Sequence, residues 1–389
     1  GYSPANTNNR MDASGDETMV KTFHYGFDDT TFSFTDEGYP ITNRFTFGDI
    51  NTYEGRGDNH VDYYSRDNWN TIKLPERTED GTLIKHNPVL KMTQKMVDDM
   101  KNQMDAGYVI QEDDEPYPTY GADNGLKLID LMKEDGTIVD YNSSLWDQLL
   151  DQLTYEDTAR LLSNGRHKTI AVESVTKPST GDENGPNGFN QTYRAAQKGS
   201  AYSGPTNPYA ERAGGFDEEG NYIPDPDINS GFTTTGFSSN GVLASSFNKE
   251  LARKVGDQIG EEGLWAGQAG LLGIGLNIQR SPYAGRTAEY YSECGTLSGL
   301  IAVPEIQGIE SKGVHCFIKH CAMNECETAR HGVNLWCTEQ AMREVYFRPF
   351  EMGIRDGGSF SVMTSFSRIG VQAVANCVDF TRFLRNECG

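Results

Sequence analysis

The amino-acid sequence predicts an α/β fold in which short strands alternate with helices around a parallel sheet. Apolar stretches of strand length, LLGIGLNI, VHCFIKH and SFSVMTSF, recur through the last third of the chain. Segments with helical periodicity separate them, and this alternation is typical of β/α units. With 389 residues, of which 36% are hydrophobic, the chain can bury a sizeable core.

In the first part of the chain, the sequence patterns that indicate strands and helices are weaker. Residues 1–45 read as short strands with turns, and residues 70–125 hold Pro, Gly and acidic clusters around one predicted helix, KMTQKMVDDMKNQMDAG. The methionines of that helix are four residues apart, which indicates a packing face. LWDQLLDQLTYEDTARLLSNG then predicts an amphipathic helix or a helix pair that ends at Gly165.

The regular alternation begins after a long segment, residues 176–235, that is poor in apolar periodicity and is expected to form functional or disordered loops. FNKELARKVGDQIGEEGLWAG predicts a helix whose buried face carries Leu251, Val255 and Ile259. TEQAMREVYFRPFEMGIRDGG predicts a second helix, with an N-cap at Thr338 and a stop at Gly357-Gly358. Pro349 should kink this helix or mark a join, and the residues expected to face inward are Met342, Val345, Tyr346 and Phe350.

Composition argues against two classes of partner. The chain has 56 acidic and 34 basic residues, a formal net charge of -22. Nucleic acids and anionic membrane surfaces both attract basic patches, so we expect neither as a partner. No apolar run is long enough for a membrane-spanning helix, and the N-terminal residues lack the apolar core of a signal peptide.

The cysteines point to a reducing compartment. All seven lie after residue 293, and an odd number in one part of the chain does not suggest a disulfide framework. We therefore expect a cytoplasmic protein, with secretion by a processed signal left open. The spacing of Cys316, Cys321 and Cys326 fits no zinc pattern, so we predict small buried thiols, no metal site and no cofactor.

Polar residues follow several of the predicted strands. Lys319-His320 ends one strand, Arg280 and Arg286 follow another, and Met363 to Phe366 end a third. Asp182, Glu183 and Asn184 follow the apolar stretch TIAVESV. In parallel β/α barrels the active site lies at the carboxyl ends of the strands, so these groups should converge on one rim. Each residue alone could be structural, but the mixture of donors and acceptors, to which Glu289 adds, suits a saccharide ring.

Four ordered motifs resemble glycoside hydrolase family 3, the β-glucosidase type. They are NIQRSPYAGRTAEYYSE, IKHCAMNECETAR, EQAMREVYFRPFE and SVMTSFSRIG, and weaker similarity extends back through DENGPNG and LLDQLTYED. The resemblance implies that residues 126–389 form a (β/α)8-type barrel, similar to a TIM barrel, which is incomplete in this chain. The KHFPGHGD pattern of the family's N-acetylhexosaminidase branch is absent.

The same resemblance implies roles for individual residues. Arg286, Lys319, His320 and Arg330 match residues that hold the sugar in the cleavage subsite, and Met363 matches a residue that lines it. Asn184 stands where the family commonly has aspartate, and Phe366 stands where many members have tyrosine. The substrate-binding residues implied in this way are Asn184, Arg286, Lys319, His320, Arg330, Met363 and Phe366.

The resemblance also implies a retaining double displacement by two carboxylates about 5 Å apart. The family's nucleophilic aspartate would lie just beyond Gly389, after the segment LRNECG, and the acid/base glutamate normally comes from an α/β-sandwich domain. YYSRDNWNTIKLPE, GLKLIDL and LWDQLLDQLT look like the domain-permuted branch of the family. In that arrangement residues 1–45 are the tail of a fibronectin III-like β-sandwich, residues 46–125 wrap the barrel, and the missing domains are partners from the same protein.

Two functional hypotheses follow. In the first, the chain is a fragment of a retaining β-glycosidase, a β-glucosidase acting on terminal β-linked sugars, and is inactive alone because both catalytic carboxylates are missing. In the second it is a non-catalytic carbohydrate-binding or scaffold remnant, which Asn184 and Cys294 (in place of an aspartate) favour. A thiol-based redox or metal protein is a third reading, and it depends on the cysteine cluster alone.

Overall fold

The computed structural model describes residues 119–140, 142–163, 168–189, 234–280, 284–327 and 330–388, with shorter segments within 33–48, 76–84, 93–105 and 215–223. Most of the predicted β-sandwich tail, Gly165 and most of the loop region 190–233 lie outside the described residues. Among the described residues, no helix is both long and apolar enough to span a lipid bilayer.

The described core is α/β, with a mainly parallel five-stranded sheet. Its strands in chain order are β1 (Lys168–Thr169), β2 (Thr180–Asn184), β3 (Gly270–Leu272), β4 (His315–Cys321) and β5 (Ser361–Thr364). The spatial order is β5-β4-β3-β2-β1, in which β2 to β5 are parallel and β1 is antiparallel to β2. The three predicted apolar strands correspond to β3, β4 and β5, so the prediction of β/α units around a parallel sheet is confirmed.

The helices are α1 (Gln94–Asp105), α2 (Ser144–Leu150), α3 (Tyr155–Ser163), α4 (Asn240–Ser245), α5 (Lys249–Trp265), α6 (Gly295–Glu310), α7 (Glu339–Ala341), α8 (Arg348–Arg355) and α9 (Val378–Arg382). Short 3-10 turns span Leu128–Leu131, Glu173–Val175, Thr287–Glu289 and Val374–Asn376, and π-helical turns span Met342–Phe347 and Phe383–Glu387.

Smaller sheets lie outside the central one. Antiparallel pairs join Ser33–Phe34 to Pro40–Ile41, Glu76–Arg77 to Leu83–Ile84, and Gly215–Phe216 to Tyr222–Ile223. A three-stranded sheet contains Asn334–Leu335, Arg368–Ile369 and Gln372–Ala373.

The inner strand β2 corrects one sequence expectation. TIAVESV was expected to precede the polar cluster as a buried strand, yet the polar run TGDEN is itself the strand. Its backbone pairs with β1 on one side and β3 on the other. Ile170, Val172 and Val175 are instead buried beside the strand, the two valines in a separate apolar cluster. Backbone pairing on both edges therefore overrode the low strand propensity of Gly, Asp and Asn.

Helix α5 packs closely against α6, and this contact corrects the predicted buried face. Leu251 is 43% exposed, whereas Ala252, Gly256, Ile259, Gly260 and Gly263 are buried. A Cβ at Gly256 would lie 2.1 Å from the carbonyl oxygen of Glu305, so only glycine lets the two helices approach this closely. Of the predicted face, Ile259 is buried and Val255 packs against the core, whereas Leu251 is exposed because small residues form most of the contact with α6.

The helical segment 339–355 is interrupted as the proline predicted. Thr338 caps its start, with the Thr338 Oγ1 accepting from the Ala341 N–H at 3.1 Å. A π-helical turn over Met342–Phe347 precedes Pro349, and the helix stops before Gly357. The π turn changes which residues face inward: Met342, Phe347 and Phe350 are fully buried, whereas Val345 and Tyr346 are only half-buried.

Four cysteines, Cys316, Cys321, Cys377 and Cys388, are part of the apolar core. Burial raises the pKa of each of these thiols above its usual value, so they remain protonated. The prediction of small buried thiols is thus confirmed at Cys316 and Cys321, whereas Cys326 is only half-buried.

Arg343 joins three parts of the chain that are distant in sequence. Its guanidinium donates to Glu339 at 2.9 Å and to Glu387, and it lies 5.5 Å from the Phe45 ring centroid. Glu339 in turn accepts from the Phe45 backbone N–H at 3.0 Å. Both carboxylates are almost fully buried, so they depend on Arg343 for charge compensation.

We expect Arg343→Met to lower the free energy of unfolding by about 3 kcal/mol, because two buried carboxylates lose their cation. Denaturant unfolding followed by circular dichroism measures the change. Arg382→Met is the matched control. Arg382 is 59% exposed and pairs with Asp379 at 3.5 Å, so this substitution should change the free energy of unfolding by less than ~0.5 kcal/mol. An equal loss in both variants would contradict the role of Arg343.

Glu305 is a buried carboxyl group in the middle of α6. It accepts from the Tyr291 hydroxyl at 2.6 Å and is only 1% exposed. Burial raises the pKa of Glu305 to about 7, an effect that the Tyr291 hydrogen bond only partly opposes. The native state therefore favours the protonated form, and ionisation at higher pH costs stability.

Glu305 should make the protein less stable as the pH rises. Its stabilising contribution is complete below the usual glutamate pKa of 4.5 and is lost as the pH passes through about 7. Glu305→Gln should remove this dependence, so the fall in unfolding free energy between pH 4.5 and 7.5 should shrink by up to about 3 kcal/mol. Glu250→Gln, on the exposed face of α5, is the control and should leave the fall unchanged. An unaltered profile in Glu305→Gln would mean that Glu305 is ionised in the native state.

Candidate functional site

The end of the central strand β4 places two adjacent basic side chains in the protein interior. Lys319 and His320 are 2% and 3% exposed. The pairing of β4 with β5 joins Lys319 to Met363 and then Cys321 to Thr364, so His320 is an extra residue in the ladder. Both faces of an inner parallel strand are covered by other elements, which explains why the last four residues of β4, Lys319 and His320 among them, are all buried.

Asn277 fixes the backbone of the bulge. Its side chain accepts from the His320 N–H at 2.6 Å and donates to the His320 carbonyl at 2.9 Å. Leu276 donates to the Lys319 carbonyl at 2.7 Å, so the segment after β3 continues along β4. Sequence reasoning missed Asn277, although a single polar residue inside the apolar stretch LLGIGLNI was a usable signal.

Gly275 brings the next loop close to this strand end. It forms bridges with both Lys319 and Tyr290, and a Cβ at this position would lie 2.6 Å from the Glu289 carbonyl oxygen. The absence of a side chain therefore lets Glu289 and Tyr290 lie beside β4. Asn240 also holds this loop, because its amide donates to the carbonyls of Glu289 at 2.9 Å and Pro186 at 3.1 Å.

The ammonium group of Lys319 has two polar neighbours. Its Nζ lies 3.4 Å from the Asn184 Oδ1 and 3.8 Å from the Glu289 Oε2. Both distances are longer than a good hydrogen bond, which leaves the ammonium able to donate to a ligand. Burial lowers the pKa of Lys319 to about 8, while the charge of Glu289 opposes that fall and the charge of Arg286 adds to it.

His320 is neutral in this setting. Burial lowers the pKa of His320 to about 2, and the positive charges of Arg286, Lys319 and Arg330 act in the same direction. Its Nδ1 has no hydrogen-bond partner within the described part of the chain. A neutral imidazole offers one donor and one acceptor, which suits a hydroxyl group.

Charged residues of two loops form an alternating chain next to Lys319. Arg286 donates to both oxygens of Glu289, each at 2.8 Å, and lies 3.9 Å from Glu327. Glu327 accepts from Arg330 at 2.8 Å and from Asn324 at 3.0 Å. The order Glu289, Arg286, Glu327, Arg330 thus compensates every charge by a neighbour of opposite sign.

An aromatic residue lies at the outer edge of the charged chain. Phe366 is 51% exposed, and the Arg330 guanidinium lies 4.7 Å from its ring centroid. The His331 ring centroid is 4.5 Å from that of Phe366. Met363 is half-buried on β5, directly paired with Lys319. The rim therefore combines a buried polar floor with an apolar edge.

The structure brings together most of the residues that the sequence singled out, but not all of them. Asn184, Arg286, Glu289, Lys319 and His320 are linked by the contacts described above, and Arg330, Met363 and Phe366 border them.

Two expected members of the rim are elsewhere. Arg280 is exposed and lies 5.9 Å from the Tyr346 ring centroid. Asp182, in the middle of β2 and two residues before Asn184, pairs in register with Gly270 and is buried.

The arrangement can bind a polyhydroxylated ring, and cations hold both carboxylates of the charged chain beside Lys319. Glu289 is held by Arg286 through both oxygens, and Glu327 is held by Arg330 and Asn324. A nucleophilic carboxylate needs an oxygen free to approach an anomeric carbon. The described rim therefore supplies binding groups.

Comparison with known proteins gives an independent view of the same region. Residues 227–389 match the family described as "Glycosyl hydrolase family 3 N terminal domain". This match includes β3, β4 and β5 and every rim residue except Asn184.

Curated and structural relatives agree with that match. The chain is 34% identical over 239 residues to an exo-alpha-(1->6)-L-arabinopyranosidase of Bifidobacterium longum, covering 61% of this chain and 28% of that protein. It is 38% identical over 162 residues to thermostable beta-glucosidase B of Acetivibrio thermocellus, covering 41% of this chain and 22% of that one. The solved structure of beta-glucosidase 3B from Thermotoga neapolitana in complex with glucose matches with a TM-score of 0.50 and 28% identity, over 62% of this chain and 32% of that chain. The chain thus spans about a quarter of the length of these curated relatives.

Proposed function

Since the chain belongs, over residues 227–389, to glycoside hydrolase family 3, we propose that the whole protein is a retaining β-glycosidase of the β-glucosidase type, which removes terminal β-linked sugars. In this proposal the chain provides the sugar-binding rim of the cleavage subsite. The catalytic nucleophile and the acid/base carboxylate come from parts of the protein outside this chain. The sheet of the α/β core is then one section of a (β/α)8-type barrel.

The observation that carries the proposal is the buried pair Lys319-His320 at the carboxyl end of the central strand. Buried basic groups are costly, and they persist where a ligand or a fixed partner uses them. Asn184, Arg286 and Arg330 surround this pair with further donors and acceptors. Sugar hydroxyls need both kinds of group, and the relative from Thermotoga neapolitana has been solved with glucose.

The domain limits and the location of the protein stay predictions. We expect residues 1–45 to be the tail of a β-sandwich, residues 46–125 to wrap the barrel, and residues 126–389 to form the barrel domain. We also expect a cytoplasmic protein without a metal or an organic cofactor. Sequence determination of the whole coding region and fractionation of the source cells test these points directly.

The test of the proposed reaction is trapping of a covalent intermediate. The longest natural polypeptide that contains this sequence is incubated with 2-deoxy-2-fluoroglucosyl fluoride, and its intact mass is measured. A retaining carboxylate nucleophile should give one stoichiometric glycosyl adduct, and peptide mapping should place it on an aspartate beyond Gly389. Nitrophenyl β-glucoside, β-xyloside and α-L-arabinopyranoside then compare the sugars that the relatives' names suggest.

The outcome that contradicts the reaction is a sugar-binding protein without an adduct. Glucose binding by calorimetry, together with no adduct and no turnover of the three glycosides, would favour the non-catalytic carbohydrate-binding alternative. Asn184, an uncharged residue at a position where family members commonly carry aspartate, is the feature that would then deserve replacement first.

Lys319→Ala should lower kcat/KM of the whole protein by about ten- to hundredfold, because a hydrogen bond from a charged donor contributes ~1.5–3 kcal/mol. Contacts that strengthen as the ring flattens act on the transition state, so kcat should fall with kcat/KM. Lys312→Ala is the matched control: Lys312 lies before the start of β4, at the opposite end of that strand from Lys319, and pairs with Glu261 at 3.0 Å, so the substitution should leave both constants unchanged. A near-normal kcat/KM in Lys319→Ala would remove Lys319 from the subsite.

A further inference from the structure

Glu289 contacts two of the cationic groups on the rim, yet its geometry excludes a direct catalytic part. Its two carboxylate oxygens accept from the Arg286 Nε and terminal nitrogen, each at 2.8 Å. Its Oε2 is also 3.8 Å from the Lys319 Nζ. A carboxylate held by a fork of two parallel hydrogen bonds is a poor nucleophile, but it orients the guanidinium strongly.

The backbone around Glu289 is itself fixed, so the position of its carboxylate is determined. Glu289 ends the 3-10 turn Thr287–Glu289, and its N–H donates to the Arg286 carbonyl at 2.9 Å. Its own carbonyl accepts from Asn240 and lies against Gly275. The side chain therefore reaches Arg286 and Lys319 from a position that is set by three separate segments of the chain.

The charged groups around Lys319 show how Glu289 affects the charge of its ammonium group. The loop after β3 places Arg286 and Glu289 near Lys319, β2 contributes the uncharged Asn184, and β5 contributes Met363. On its own strand the neighbour is the neutral His320. Arg330 and Glu327 compensate each other at 2.8 Å further along the rim. Glu289 is thus the anion, among the described residues, that offsets both the burial of Lys319 and its repulsion by Arg286.

We propose that Glu289 is a positioning residue: it fixes the guanidinium fork of Arg286 and keeps Lys319 in the ammonium form, without touching the sugar itself. This inference rests on the proposed function for the identity of the ligand, but not for the coupling between the three side chains. Without the carboxylate, Lys319 would be left buried next to an arginine and would release its proton. The rim would then lose one of its strongest donors and the fixed orientation of a second.

The coupling is tested by titrating Lys319 directly. Lysine carrying 13C at Cε is incorporated into the chain, the Lys319 signal is assigned with Lys319→Arg, and its chemical shift is followed from pH 6 to 11. In Glu289→Gln the midpoint should move down by about one pH unit or more, which increases the ratio of neutral to charged Lys319 at least about tenfold. Glu293→Gln is the matched control, because Glu293 is an exposed glutamate four residues along the same loop and should leave the midpoint unchanged.

Glu289→Asp separates the two parts of the proposal. Aspartate keeps the charge but is one methylene shorter, so it should restore the Lys319 midpoint while weakening the bidentate contact with Arg286. Glucose binding, measured by calorimetry at pH 6 and pH 9, should be weakened in Glu289→Gln more at pH 9 than at pH 6, and Glu289→Asp should show a smaller, pH-independent loss. A purely structural role would not produce this dependence on pH.

The possible outcomes distinguish this inference from the proposed function. A Lys319 midpoint that is the same in wild type, Glu289→Gln and Glu289→Asp, with all three folded by circular dichroism, overturns the inference whether or not glucose binds. A lowered midpoint in Glu289→Gln that Glu289→Asp restores supports it even where no sugar binds, a result that would count against the sugar-binding rim alone. If Glu289→Gln fails to fold, the comparison of wild type with Glu289→Asp in glucose binding decides, and equal affinities would overturn the positioning role.

Discussion

Lys319 is a cation in the interior of a parallel sheet, and the arrangement of the rim depends on how the protein compensates that charge. An isolated ammonium at 2% exposure would lose its proton, since desolvation of a charge costs several kcal/mol. Asn184 and Glu289 meet this demand from two directions, the β2 strand and the loop after β3. The loops after β3 and β4 are consequently not independent of the sheet, because each contributes a charge that the other requires.

The same constraint explains why the polar rim is ordered before any ligand arrives. Asn277 holds both backbone groups of His320, and Asn240 joins the end of β2 to the loop that carries Glu289. Arg286 and Arg330 are each fixed by a glutamate at 2.8 Å. Side chains that are already oriented lose little entropy when they bind a ligand, so in the proposed function the carboxylates would increase the affinity for the sugar without contacting it. Binding groups on this rim therefore need a second layer of polar residues, and the two asparagines belong to that layer.

The sequence predicted the elements that depend on local residue patterns. It did not predict features that depend on close contact between helices or on which charged side chains pair. The apolar runs that became β4 and β5, the cap at Thr338 and the interruption at Pro349 each follow from residue type and spacing. The buried face of α5 was wrong at Leu251 because glycines, which carry no hydrophobic signal, form the contact with α6. Residues of the rim were found through their resemblance to a family, whereas the Arg286–Glu289 fork and the part played by Asn277 are three-dimensional facts. Neither spacing nor composition predicts which of several glutamates an arginine will meet.

The ionic contacts distinguish side chains that can bind a ligand from carboxylates that are free to react. A glycosidase needs one carboxylate that is free to attack and another that can exchange a proton, and both functions require an oxygen that no cation holds permanently. Glu289 and Glu327 fail this requirement because arginines occupy their oxygens, and Glu305 fails it because it lies in the core against Tyr291. These contacts support the proposed function, in which the described residues bind and orient a sugar and the reactive carboxylates come from elsewhere in the protein. In such a division, a cationic rim also favours the ionised state of an incoming nucleophile, since Lys319 and the two arginines would stabilise a negative charge placed near them. The compensation of Lys319 by Glu289 would then set how strongly that stabilisation acts.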